Sequence, residues 1–322
     1  MLGATGYLGQ HICTAFAAAG AGVLAVSRSA QRAGAPSWNG DTGVRAVSLD
    51  LAEADSATLT RLCATSEAQV VVNAAGTVWH GTADKMITVN ARMVERLTSA
   101  VAELPQRPRL IQIGTAYEYG PAGPDDLIDE DWPPAPVTAY GRTKLAGTRA
   151  VLHAVRAGRV DGVVLRASVT CGPGAPQGSL PGNVAADLAA GCDVLRLAPL
   201  LAHRDILDVR DVADAVVAAA RVPATAFTRV DPIINIARGE SVSVREFVEL
   251  MITCSGRSVR ILEEEPDANR SGTLWQRLDV SRARQLLNWT SRRTLTESVH
   301  DLLAAAGIPG TDVPIDSALG SF

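Results

Sequence analysis

The chain has 322 residues, 47% hydrophobic and 20% charged, a composition that gives a large core with room for two lobes and excludes disordered and collagen-like classes. A formal net charge of −4 leaves no basic footprint, which argues against nucleic acid as a partner. The 30 basic residues are 28 arginines and two lysines, Lys85 and Lys144, so each lysine stands out from its background.

The chain opens Met1-Leu2-Gly3-Ala4-Thr5-Gly6-Tyr7-Leu8-Gly9 and runs into a helical pattern over 10–19. Gly3, Gly6 and Gly9 have the spacing of a turn that bends tightly, lets the backbone approach a pyrophosphate, and lets a helix pack on a strand. Tyr7 and Leu8 lie within that turn and are expected to touch the cofactor, and the free N–H groups and positive dipole end of the helix that follows suit phosphates. Only two residues precede Gly3, whereas a central strand usually has about five. Either the natural start lies upstream or the first strand is short. The apolar run 15–26 is twelve residues, below the ~18 of a membrane span, and no basic residue precedes Arg28 to form a secretory leader. The cytoplasm is the expected compartment.

A strand over 23–26 ends in Ser27-Arg28-Ser29, a guanidinium and two hydroxyls where an acidic residue would select NAD. The expected cofactor is therefore NADPH, with NADP preferred over NAD. The next strand, 44–49, ends at Asp50 and Leu51, which places a carboxylate near an adenine amino group or simply caps the helix expected over 52–64. A strand over 69–72 leads into Ala74, Ala75 and Gly76, small enough for close passage of a cofactor. A helix is expected over 84–104, a strand over 110–113, a helix over 139–157 and a strand over 163–165. This alternation means βαβ units, an α/β fold with a doubly wound parallel sheet.

After residue 167 comes a loop rich in Gly and Pro, 171–182, then a strand and helix around 206–220 and an apolar run at 233–237 that look like returns to the sheet. The remainder, 240–303, alternates helix and strand, and 307–322 has no periodicity. The expected division is a cofactor domain of 1–167 with 204–237, and a smaller mixed α/β substrate-binding lobe of 168–203 with 238–322. No internal repeats are evident. Five cysteines without close pairing argue against a disulfide framework, and no metal site is expected.

Tyr140 and Lys144 lie one helical turn apart on one face. A phenol titrates near ~10, too high for efficient proton transfer at neutral pH, and an ammonium one turn away is expected to lower it. Thr115, just after the strand 110–113, supplies a hydroxyl for the substrate oxygen. Thr115, Tyr140 and Lys144 are the expected catalytic residues, with Tyr140 and Lys144 also touching the cofactor.

These residues resemble those of the extended short-chain dehydrogenase/reductases, the superfamily of nucleotide-sugar epimerases, dehydratases and reductases. The resemblance covers nearly the whole chain: the glycine turn, Thr115 to Gly120, Tyr140 with Lys144, Leu165-Arg166 followed by Gly172-Pro173, and His203-Arg204-Asp205-Ile206-Leu207-Asp208-Val209. It implies a Rossmann-type sheet and a nucleotide-sugar substrate whose diphosphate meets Arg204, unless Asp205 or Asp208 pairs with that arginine. The 4,6-dehydratases follow their threonine with Asp-Glu, and Ala116-Tyr117 stands here. Reductases that also epimerise at C3 and C5 use a cysteine near Tyr117, and the 4-epimerases carry an acidic residue where this chain has Arg28. Further stretches, from Val72 to Trp79, Pro136 to Lys144 and Gly178 to Gly182, look like those of NDP-4-keto-6-deoxyhexose 4-ketoreductases of antibiotic deoxysugar pathways. An Asn frequent in that family is Val169 here. Tyr117, Glu118, Gln177 and Asn183 are further candidates for substrate contacts. The implied reaction is NADPH-dependent reduction of a dTDP-linked 4-keto sugar. The alternatives are an NAD-dependent nucleotide-sugar epimerase, a reductase of a non-sugar ketone, and a noncatalytic NADP sensor. The family's four-helix interface makes a homodimer possible.

Overall fold

The computed structural model describes residues 1–29, 43–78, 81–227, 230–264 and 275–308. Trp79 and residues 309–322 of the aperiodic C-terminal stretch lie outside them. The first part of the chain runs α1 (Tyr7–Ala18), β1 (Val23–Ser27), β2 (Val44–Ser48), α2 (Ser56–Thr65), β3 (Val70–Asn73), α3 (Ala83–Ile87), α4 (Met93–Ala102), β4 (Arg109–Thr115), α5 (Ala139–Arg156) and β5 (Gly162–Ala167). There follow β6 (Val169–Cys171), α6 (Leu180–Ala189), β7 (Val194–Leu197), β8 (His203–Arg204), β9 (Ile206–Asp208), α7 (Val209–Arg221) and β10 (Ile233–Ile236). The last elements are β11 (Val242–Ser243), α8 (Val244–Ser255), β12 (Arg260–Glu263), α9 (Ser281–Leu287) and α10 (Leu295–Ala305).

The main sheet is parallel, in the order β2-β1-Leu2-β3-β4-β5-β10. Its central position is held by the first two residues. Leu2 donates to Val72 O and accepts from Ala74 N, while Met1 O accepts from Val26 N and Gly3 N donates to Val26 O. The Met1 ammonium donates to Leu24 O at 2.8 Å, and burial lowers its pKa. These residues take the place between β1 and β3.

Strands β4, β5 and β10 are buried at every residue, as expected of central strands covered on both faces. One face packs Leu97, Leu110, Val151 and Val164 beneath α2, α4 and α5, and the other packs Ile12, Ile111, Leu165, Val212 and Ile234 beneath α1 and α7. A separate core of Val184, Leu188, Phe247, Met251, Val299 and Leu302 joins α6, α8 and α10. Side-chain caps start most of these helices. Thr138 accepts from Gly141 N at α5, and Ser243 with Glu246 and Thr294 with Glu297 form capping boxes at α8 and α10.

Two sequence expectations are corrected. The helix expected over 84–104 is broken into α3, a π-helical turn at Thr88–Arg92, and α4. The wide turn sets Asn90 against the loop after β3, where its Oδ1 accepts from Thr77 N and its Nδ2 donates to Thr77 O. The strand and helix around 206–220 were expected as part of the first domain; α7 and β10 do pack against the main sheet, whereas β9 pairs with β6 and β8 with β11, outside that sheet.

Candidate active site

The glycine turn is fixed by space as much as by conformation. Gly3 has φ +78°, and a Cβ there would lie 2.7 Å from Ala75 N and 2.9 Å from Ala74 C. A Cβ on Gly9 would fall 2.0 Å from Gly3 O. The turn therefore lies flat on Ala74 and Ala75, with Gly76 following beside Asn90. Gly6 is the exposed N-cap of α1, and no side chain caps that helix. Its first N–H groups are left for an anion, so this cradle fits the pyrophosphate of a dinucleotide. Leu8 packs against the core on the α1 side of the sheet. The Tyr7 hydroxyl points to Gly172 O at 3.4 Å, and His11 Nε2 is 3.0 Å from Pro173 O, so α1 is also tied to the Gly-Pro turn after β6.

At the end of β1, Ser27 is buried and its hydroxyl donates to Ser29 O at 2.9 Å. Arg28 and Ser29 are exposed, and no carboxylate pairs with the Arg28 guanidinium among the described residues. Asp50 is exposed at the end of β2, where one oxygen accepts from Ala52 N at 2.9 Å. Its turn-capping role is thus present and leaves the second oxygen open. Leu51 is buried beside it.

The end of β4 and the start of α5 bring Thr115, Tyr117, Tyr140 and Lys144 together. The Thr115 hydroxyl accepts from Tyr117 N at 3.4 Å and lies near enough to Tyr140 to favour its phenolate, and the rings of Tyr117 and Tyr140 meet edge to face at 6.1 Å. Lys144 is buried, and its Nζ donates to Ile113 O on β4. The expected lowering of the phenol pKa is not seen. Burial pushes Tyr140 well above its usual value, the Thr115 hydroxyl pulls it down, and the charge of Glu118 pushes it up. Burial lowers the Lys144 pKa, against which the Glu118 carboxylate works. Burial is the main cause, and Lys144, whose Nζ is bonded to Ile113 O, is not among the groups that oppose it.

Of the expected substrate contacts, Glu118 is corrected. It is 0% exposed and points into the protein, where Oε1 accepts from Thr115 N at 3.0 Å and Oε2 accepts from Arg166 Nε at 3.0 Å. Gln177 is exposed in the loop before α6 and Asn183 is exposed in the first turn of α6, where its Oδ1 accepts from Gly178 N at 2.7 Å. Arg204 is half-buried and donates to His203 O at 2.8 Å. Asp205 and Asp208 do not hold it: Asp205 accepts from Arg238 N and Gly239 N, and Asp208 pairs with Arg210. Its guanidinium has no carboxylate partner among the described residues.

Sequence reasoning missed two residues of this site. Asn90 also donates to Thr143 Oγ1 at 3.2 Å, joining the loop after β3 to α5 between Tyr140 and Lys144. Its signal was an amide inside an apolar helical pattern. Arg166 is 2% exposed in the middle of the sheet, and a charged residue ending an apolar strand pattern called for a buried partner. Among the described residues no cluster of His, Cys, Asp or Glu is placed to hold a metal, and no helix is long and apolar enough to cross a membrane.

Comparison with known proteins agrees with this geometry. The chain is 42% identical over 311 residues to the dTDP-6-deoxy-L-talose 4-dehydrogenase (NAD(P)(+)) of Kitasatospora kifunensis, covering 95% of this chain and 94% of that protein. Its fold is similar to MoeE5 in complex with UDP-glucuronic acid and NAD, with TM-score 0.80 and 24% identity over 95% and 97% of the two chains. It is also similar to RMD from Pseudomonas aeruginosa complexed with NADPH, with TM-score 0.76 and 19% identity over 94% and 96%. At these identities the two structures speak to the fold, a Rossmann-type α/β arrangement. The profile of the NAD dependent epimerase/dehydratase family matches residues 1–237. The chain belongs to that family and is an NAD(P)-dependent oxidoreductase.

Proposed function

We propose that the protein interconverts the C4 alcohol and C4 ketone of a dTDP-linked 6-deoxyhexose with NADP(H), working as a 4-ketoreductase. The observation that carries the reading is the gathering of Thr115, Tyr140 and Lys144 where β4 ends and α5 begins, with Tyr117 against the Tyr140 ring and Lys144 Nζ on Ile113 O. The relative from Kitasatospora kifunensis is named for the same bond in the oxidative direction, and the family relation supports a nucleotide-sugar substrate.

When bound, the nicotinamide supplies or takes the hydride. In reduction Tyr140 gives its proton to the oxygen developing at C4, while the Thr115 hydroxyl holds that oxygen. The raised pKa of the phenol keeps it protonated at neutral pH, which suits an acid in the reductive direction. Lys144 holds the ribose hydroxyls of the bound cofactor. Gly3, Gly6, Tyr7, Leu8 and Gly9 shape the pyrophosphate cradle, Ala74, Ala75 and Gly76 flank it, and Asp50 and Leu51 border the adenine. Exposed Arg28 and Ser29 favour the 2′-phosphate of NADP, with Ser27 bracing the turn. Arg204, free of carboxylates among the described residues, takes the substrate diphosphate, with Tyr117, Gln177 and Asn183 at the sugar side. Residues 1–167 with 204–237 form the cofactor domain, and 168–203 with 238–322 the substrate lobe. A homodimer through α4 and α5 is part of the same reading, as is a cytoplasmic setting in deoxysugar biosynthesis for an antibiotic.

The test is incubation with dTDP-6-deoxy-L-talose and NADP, following the absorbance of reduced nicotinamide, and the reverse reaction with the 4-keto sugar and NADPH. Tyr140→Phe is expected to remove turnover and spare NADPH binding. Turnover that survives this change refutes the mechanism.

A further inference from the structure

The catalytic threonine sits on a buried ion pair that a short turn does not require. Thr115 is the N-cap of a 3-10 turn, Ala116–Glu118, whose capping box is completed by Glu118. Such boxes normally lie at the surface, with water around the carboxylate. Here the carboxylate is inside. Its Oε2 meets Arg166 on β5, and the Arg166 guanidinium lies 4.3 Å over the Tyr119 ring, whose hydroxyl donates to Asn235 Oδ1 at 2.6 Å. Room for it exists because residue 114, directly opposite Arg166 in the sheet register, is glycine. A Cβ there would lie 2.8 Å from Glu118 Oε1 and 3.2 Å from Arg166 Cγ.

Burying two charges costs several kcal/mol of desolvation per ion, repaid only with complete pairing. A capping box alone gives no reason to bear that cost. Both carboxylate oxygens are committed, one to the arginine and one to the Thr115 amide, so the amide is clamped from the side opposite the cleft.

Resting on the reading of Thr115 and Tyr140 given above, we propose that Glu118, locked by Arg166, is a positioning residue: it holds the Thr115 amide and so directs the Thr115 hydroxyl at Tyr140. The groups facing it are Arg166 from β5, Tyr117 and Tyr119 from its own turn, and Tyr140 and Lys144 from α5. Its negative charge bears on the last two, favouring a protonated phenol and a charged ammonium. Glu118 touches neither substrate nor cofactor in this role.

The experiment compares Glu118→Gln, Glu118→Ala and the apolar pair Glu118→Leu with Arg166→Met, which removes both buried charges together and guards against simple misfolding. Thr115 amide hydrogen exchange is read on the protein alone, and kcat and KM are read against pH with dTDP-6-deoxy-L-talose and NADP. In Glu118→Ala and in the apolar pair the Thr115 amide is expected to exchange at least about tenfold faster. There kcat is expected to fall roughly ten- to a hundredfold with KM nearly unchanged, the scale of a small misplacement at a reacting centre. Glu118→Gln keeps one oxygen to accept from the Thr115 amide but turns its NH2 toward the Arg166 guanidinium, so protection and kcat return only in part, while the acidic limb of the kcat profile moves about one unit to lower pH. Unchanged exchange in Glu118→Ala overturns the proposal whatever the assay shows, as does full kcat in the apolar pair. Tyr140→Phe run alongside separates the two readings: if it still turns over, the assignment of Tyr140 fails, whereas a dead Tyr140→Phe beside Glu118 variants of normal rate and profile defeats only the positioning role.

Discussion

Replacing Arg28 with Ala tests the choice of cofactor. The guanidinium stands exposed at the end of β1, with no carboxylate partner among the described residues, and in the reading proposed above it takes a 2′-phosphate. Ser27 contributes little there, because its hydroxyl proton is already given to Ser29 O. The loss therefore falls chiefly on one charge-assisted contact. Such contacts are worth about 1.5–3 kcal/mol when sheltered, and solvent around Arg28 brings this toward 1–2 kcal/mol, roughly six- to thirtyfold in affinity. NADPH and NADH are titrated against both proteins by nicotinamide fluorescence, at low and high salt. Arg28→Ala is expected to weaken NADPH by that factor, more visibly at low salt, and to leave NADH unchanged. Equal weakening of both cofactors, or of neither, refutes the assignment of the 2′-phosphate to this side chain.

Arg204→Ala is expected to raise KM for the dTDP sugar about ten- to a hundredfold while leaving NADPH affinity intact, the loss of a charged contact to a diphosphate; steady-state kinetics with each substrate varied in turn checks it, and an unchanged KM removes the arginine from the substrate site. Asp205 governs part of the stability against pH. Burial lifts its carboxyl to about 6, against the N–H groups of Arg238 and Gly239, while in the unfolded chain it titrates near ~3.9. Between those values the folded protein holds the proton and the unfolded chain has lost it, so stability is full below about pH 4 and falls by about 3 kcal/mol as pH rises through 6. Denaturant midpoints from pH 4 to 7 for the wild type minus those for Asp205→Asn should show this decline, and a flat difference contradicts it.

The parallel sheet was legible because strands buried on both faces leave short runs rich in apolar and β-branched residues, as in 110–113 and 163–165. The glycine turn was equally plain, since its residues are dictated by contact with Ala74 and Ala75. Tyr140 and Lys144 could be paired because helix periodicity alone puts them on one face. What the sequence could not reveal was direction. Glu118 adjoins Thr115 in the chain, yet whether it faces the cleft or the core is decided by Arg166, 48 residues away and brought opposite Gly114 only by strand register. The ammonium of Lys144 likewise finds a backbone carbonyl, an acceptor that carries no residue-specific mark. The π-helical turn at Thr88–Arg92 was hidden because one widened turn leaves the apolar pattern on either side nearly unchanged.

The scarcity of lysine has a use outside catalysis. Of the two ε-amines, Lys144 is buried and bound to Ile113 O, whereas Lys85 is exposed on α3, and the α-amine of Met1 is drawn into the sheet against Leu24 O. Amine-directed labels will therefore favour one side chain on the folded enzyme, without any engineered handle. That side chain belongs to α3, just ahead of the π-helical turn that carries Asn90, so a dye attached there reports on the segment that Asn90 ties to Thr77.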